Sequence, residues 1–189
     1  MRIHSVVKHV GEIPLPAFGG DQLYMQPVDV AVRKLPAKFS RWSDTVSAML
    51  DGIPMSDGVV YLTIDEKELT LGKTHRRGGA HVDGVWVPEM KAHAEPGRHV
   101  IRAVDGGGLV LLSNIQGCKA WAGDFHGEPG EGGDLESIRG QLDAAPSILL
   151  APQNAYCLNA WGIHESIPVA ASVQRSLVRI TLPETVVIH

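Results

Sequence analysis

The chain of 189 residues is 44% hydrophobic, long enough to bury one substantial core and too short for two comfortable domains, so a single domain spanning 1–189 is expected. A formal charge of −4 offers no general attraction for a polyanion, which argues against nucleic acid as a partner. Cys118 and Cys157 form no CxxC pair, no stretch reaches the ~20 apolar residues of a membrane span and the start lacks a signal-peptide run, so the expectation is a soluble, cytoplasmic protein without a zinc or disulfide framework.

Taken in chain order, the first clear element is a helix over Ser40–Leu50. Ser43 or Asp44 is its expected cap, Val46, Met49 and Leu50 its buried side, and Gly52 its stop. A strand over Val59–Ile64 is expected to end at an acidic turn, Asp65-Glu66-Lys67-Glu68, before a second strand at Leu69–Thr74. The basic run Lys73, His75, Arg76, Arg77 follows, readable as a solvated loop or as a site for a substrate anion. Arg98–Val104 and Leu109–Ile115 are expected strands joined by a hairpin at Asp105-Gly106-Gly107-Gly108, where glycine accepts positive φ. Lys119–Phe125 is a further strand, and the glycine-rich stretch from Gly123 to Gly133 reads as a mobile loop that could serve as a lid. A short helix over Asp134–Leu142 then precedes strands at Ser147–Leu150, Ala155–Trp161 and Gln174–Leu182. Strands in series with helices mainly at the start predict a mainly β fold, a jelly roll or double-stranded β-helix of the cupin-like kind, with N-terminal helical support.

The chemistry concentrates in three places. With 9 histidines and 21 acidic residues, chance alone predicts about one His-x-Asp/Glu triplet, so His81-Val82-Asp83 means little by itself. Its setting raises it: Gly78-Gly79 precede it, Gly84 follows, and residues two apart on an extended chain project to one face. His164 follows the apolar strand Tyr156–Trp161, and two histidines with one carboxylate are the facial ligand set of a non-haem Fe(II) site. Arg175, Arg179 and Thr181 share one face of the last strand, and inward-facing arginines are costly unless an anion meets them. Walker, GxGxxG, GxSxG and HExxH motifs are absent. Cys157 reads as a small core hydrophobe, Trp86, Trp121 and Trp161 as core with Trp86 near the pocket, and His75, His93, His99 and His126 as surface histidines.

In these pieces the chain resembles the Fe(II)/2-oxoglutarate-dependent dioxygenase superfamily. His81-Val82-Asp83 matches the His-x-Asp half of its triad, His164 the distal histidine, and Arg175 the arginine eleven positions further. The run His164-Glu165-Ser166-Ile167-Pro168 followed by Gln174-Arg175-Ser176-Leu177-Val178-Arg179-Ile180-Thr181 is similar to the carboxy-terminal signature of taurine-dioxygenase-like members. The matching part covers roughly residues 74 to 183. The resemblance implies Fe(II) held by His81, Asp83 and His164, with 2-oxoglutarate and O2 as co-substrates. It also implies Arg175 as the clamp on the far carboxylate of 2-oxoglutarate and Arg179 near the substrate or sharing that clamp. Thr181, Asn114 and Gln116 are further polar candidates for the co-substrate. The expected reaction is hydroxylation of a C–H bond in a small-molecule or side-chain substrate, with an anionic one favoured, releasing succinate and CO2. Two other readings stay open: a cupin-like metalloenzyme of another reaction class, which has no need of the arginine face, and a non-enzymatic jelly roll in which the triad is coincidence.

Overall fold

Alternation of apolar side chains along the last strand organises the structure. The computed structural model describes residues 1–87 and 97–189, so His93 lies outside the described residues. In chain order the elements are β1 (Arg2–Ser5), β2 (Val7–Glu12), β3 (Gln22–Asp29), a 3-10 helix (Ala37–Trp42) running into α1 (Ser43–Asp51), β4 (Val59–Leu69), β5 (Val85–Val87) and β6 (Arg98–Val100). There follow β7 (Gly106–Ser113), β8 (Cys118–Trp121), β9 (Gly123–His126), α2 (Arg139–Ala144), β10 (Ile148–Leu149), β11 (Asn154–Asn159), β12 (Ile163–Ser166) and β13 (Val173–Val187). The fold is mainly β: an antiparallel six-stranded sheet in the order β2-β11-β7-β13-β4-β3, a three-stranded sheet β10-β8-β12, two two-stranded pairs, and two short α-helices. Among the described residues the sheets do not close into a barrel.

Successive side chains of a strand point to opposite faces, so the six-stranded sheet has two different sides. Leu62, Ile64, Val110, Leu112, Val178 and Ile180 face one way and pack with Trp42, Val46, Met49 and Leu50 of the helical segment. Leu109, Leu111 and Leu177 face the other way and pack with Cys118 and Ala120 of the three-stranded sheet and with Leu150 just after β10. The register places Arg179 of β13 directly opposite Thr63 of β4 and Leu111 of β7, which brings all three to the face between the sheets.

Several sequence expectations are corrected. The acidic run Asp65–Glu68 is the interior of β4 and not a turn, and Leu69–Thr74 is not a separate strand. Glu66 is buried because it has partners: its carboxylate accepts from the backbone N–H of Gly19 and Asp21, from Arg41 and from the Ser176 hydroxyl. Gly106–Gly108 begin β7 where a hairpin was expected, and the glycines serve close approach, since a Cβ on Gly106 would lie 1.7 Å from Glu184 O and one on Gly108 2.1 Å from Leu158 O. Lys119–Phe125 is split between β8 and β9, which belong to different sheets, and β9 pairs with β1, so the glycine-rich stretch is strand in its first four residues. The expected Asp134–Leu142 helix forms as a 3-10 turn, Glu136–Ile138, followed by α2. Helix α1 carries no side-chain cap, because the chain enters it directly from the 3-10 helix; Gly52 does end it.

Candidate metal centre

His81 reaches its place through backbone pairing. Its N–H donates to His164 O at 3.0 Å and its carbonyl accepts from His164 N–H at 3.1 Å, so the two residues form a hydrogen-bonded antiparallel pair with side chains on one face. On the other side, Val82 N–H donates to Gly133 O and Leu135 N–H to Ala80 O, which pins the segment between β12 and residues 133–135. Asp83, two residues on, shares the face of His81. Gly84, at φ +70°, lets the chain turn away immediately afterwards, and a Cβ there would meet Val100 O at 2.3 Å.

The ring orientations follow from the same backbone. His81 Nδ1 lies 2.8 Å from Gly79 O and His164 Nδ1 lies 3.0 Å from Gly162 O. A carbonyl can only accept, so each Nδ1 is a donor, and in the neutral ring the lone pair then sits on Nε2. Both lone pairs face Asp83: His81 Nε2 is 3.9 Å from Oδ1 and His164 Nε2 is 3.9 Å from Oδ2. The three ligand atoms all lie within 4.8 Å of one another. Burial, reinforced by the facing His164, pushes His81 down to about 4, so its imidazole is neutral at physiological pH. Burial alone would raise Asp83, but His164 and Arg179 outweigh it and hold the carboxyl below the usual carboxylate range. Two imidazoles oriented by their own backbone and one ionised carboxylate are a donor set suited to a divalent metal.

The triad opens into a cavity of about 330 Å³ lined also by Thr63, Arg76, Arg77, Leu111, Cys118, Ser166, Leu177 and Arg179. Arg179 donates from Nη1 to Asp83 Oδ2 at 3.0 Å, while its buried Nε has no hydrogen-bond partner. Arg175 does not line this cavity. It is fully buried behind Leu111, Cys118 and Leu177, which line both the cavity and a small void that Arg175 borders. Its guanidinium donates to Ser113 Oγ at 3.1 Å, Gly117 O at 3.3 Å and Cys118 Sγ at 3.4 Å, and among the described residues it pairs with no carboxylate. Glycine at position 117 leaves room for this placement, since a Cβ there would sit 2.4 Å from the guanidinium carbon and push the side chain aside.

Asn114, Gln116 and Thr181 do not line the cavity. Asn114 uses its side chain on the backbone of β13, accepting from Ser176 N–H and donating to Gln174 O, and Thr181 is buried beside Met25. Gln116 is exposed. His75, expected at the surface, is buried, with Nε2 2.9 Å from Asp65 Oδ2 but with neither ring nitrogen aligned for a hydrogen bond. His99 is partly buried against Trp86, and His126 is exposed as expected. Burial pushes the Cys157 thiol up to about 12, in keeping with an inert core residue. Thr63, Leu111 and Cys118 were not singled out from the sequence and carry no local signal. Ser166 and Leu177 did carry one, each standing two residues along a strand from a site residue.

Comparison with models of protein families, with characterised proteins and with solved structures finds no match to this chain.

Proposed function

We propose that the protein is an Fe(II)- and 2-oxoglutarate-dependent oxygenase on a double-stranded β-helix, hydroxylating a C–H bond of its substrate. One observation carries this reading: His81, Asp83 and His164 converge beside a cavity with both histidine rings oriented by their own backbone. A metal held by these three side chains would keep further positions for other ligands, as oxygenase chemistry requires. Bound Fe(II), with 2-oxoglutarate and O2, supplies the oxidising power, and the co-substrate leaves as succinate and CO2.

The chain's own residues supply binding and exclusion of water. Arg179 ties down one oxygen of Asp83 and keeps that carboxyl ionised for the metal. Arg175, a buried cation with no carboxylate partner among the described residues, is assigned as the clamp for the far carboxylate of 2-oxoglutarate, which requires Leu111, Cys118 and Leu177 to move aside, since they separate it from the cavity. Leu111 and Leu177 give the cavity an apolar floor that limits water.

The test is anaerobic addition of Fe(II) and 2-oxoglutarate. The expected result is a visible charge-transfer band in the native protein that disappears in His81→Ala, Asp83→Ala and His164→Ala. Metal binding without the band would favour a cupin-like metalloenzyme of another class, and loss of neither metal nor band in His164→Ala would remove the triad assignment altogether.

A further inference from the structure

Arg76 and Arg77 follow the buried His75 and both line the cavity that holds the triad. What they lack is negative charge. The Arg77 guanidinium donates to the carbonyl of Gly132, and among the described residues it pairs with no carboxylate. Arg76 Nη1 lies 3.4 Å from Asp65 Oδ2, a long contact to an acid in heavy demand. The same oxygen is 3.4 Å from Lys67 Nζ and 2.9 Å from His75 Nε2, while Oδ1 accepts from Gln22 Nε2 at 3.0 Å. One negative charge is thus shared between two formal cations, Lys67 and Arg76. The third arginine of the cavity, Arg179, is already matched to Asp83.

The cavity wall therefore carries three guanidiniums against a single lining carboxylate. A cleft with low-dielectric walls concentrates such a field and draws in anions. Guanidinium forks match oxyanions in particular, because two N–H groups can meet two oxygens of a carboxylate, sulfonate or phosphate. Arg76 is 38% exposed on its side chain and Arg77 is exposed, so neither charge is desolvated before a ligand arrives. Space is available on the same side: Arg76 and Thr63 also line an adjoining depression of about 160 Å³ that includes Gln22 and Tyr24. A molecule gripped at Arg76 has room to extend outward from the metal side.

We propose that Arg76 and Arg77 form an oxyanion site at the mouth of the cavity, and that the primary substrate is a small acid or the acidic end of a larger molecule. The substrate part of this rests on the oxygenase reading; the anion site does not. Arg175 takes 2-oxoglutarate, and Arg76 and Arg77 take the primary substrate.

The experiment follows the arginine Nε–H signals by NMR at low salt while inorganic phosphate, sulfate or propionate is added, with propionamide as the neutral control. Saturable shifts at Arg76 and Arg77 are expected with at least one anion and not with propionamide. The double variant Arg76→Gln/Arg77→Gln should weaken the binding, read from the remaining cavity signals, at least tenfold. Arg76→Lys/Arg77→Lys should keep part of it, since charge remains and only the fork is lost. In a parallel calorimetric titration with Mn(II) present, 2-oxoglutarate affinity should change less than threefold in the glutamine variant. The proposal is overturned if no probe anion binds, if binding survives the glutamine variant, or if 2-oxoglutarate affinity falls as far as that of the probe. Anion binding that depends on both arginines in a protein showing no charge-transfer band would leave the anion site standing and remove the oxygenase reading.

Discussion

A buried guanidinium without a carboxylate is an unusual thing for a chain to keep, and Arg175 is one. Its hydrogen bonds to Ser113, Gly117 and Cys118 satisfy donors, yet they leave the charge itself uncompensated among the described residues. If that charge exists for a ligand, stability and binding should separate when it is removed. Arg175→Met, close in length and apolar, is expected to cost no more than about 1–3 kcal/mol of stability, because the hydrogen bonds lost to Ser113 and Gly117 are offset in part by removing a buried charge. The same change should weaken 2-oxoglutarate by roughly thirty- to a thousandfold, the equivalent of losing about 2–4 kcal/mol in a charge-assisted bidentate pair. Differential scanning calorimetry and anaerobic titration measure the two halves. A variant that is strongly destabilised and still binds 2-oxoglutarate would make Arg175 a structural residue only.

At the level of single elements, β7 depends on glycine for a reason that its neighbours impose. Gly108 holds φ +132°, and a Cβ there would press against Leu158 O of β11 at 2.1 Å. Gly108→Ala should cost roughly 2–5 kcal/mol from backbone strain and overpacking together, seen as a lower urea midpoint. Gly140→Ala is the control, since nothing lies within 4 Å of its Cβ position in α2 and alanine is the better helix former there. These glycines also show where the sequence was legible and where it was not. Apolar runs marked β7, β11 and β13, and helical spacing with Gly52 marked α1, because those signals are local. Reading Gly106–Gly108 as a turn was reasonable from three glycines in a row, but the approaching strands belong to residues some 50 and 80 positions later. The acidic stretch of β4 failed in the same way: Glu66 is stabilised by Gly19, Asp21, Arg41 and Ser176, none of them near it in the chain. Strands β1 to β3 are short or half-polar, with Pro27 inside β3, and gave no period to read.

Across the whole molecule, the site joins parts that the sheets hold only loosely to one another. The triplet and its distal histidine are 83 and 81 residues from each other's counterpart in sequence terms, His81 to His164 and Asp83 to His164, and they meet through one isolated bridge. The family resemblance singled out the three side chains that the structure brings together, whereas the cavity around them draws Thr63 from β4, Leu111 from β7 and Cys118 from β8, a conjunction that only the sheet register creates. A divalent ion bound at the triad would tie the 81–83 segment to β12 and so to the three-stranded sheet. Because the unfolded chain does not hold these ligands together, binding adds to stability by mass action, about 2.7 kcal/mol at one hundred times the dissociation constant. For a chain of this size that corresponds to a rise in Tm of roughly 5–11 °C. Anaerobic calorimetry with Fe(II), or with Mn(II) as a redox-inert substitute, should show that rise in the native protein and lose it in His164→Ala. An equal rise in both proteins would mean that the ion binds elsewhere, and no rise at saturating metal would mean that the three side chains meet for another reason.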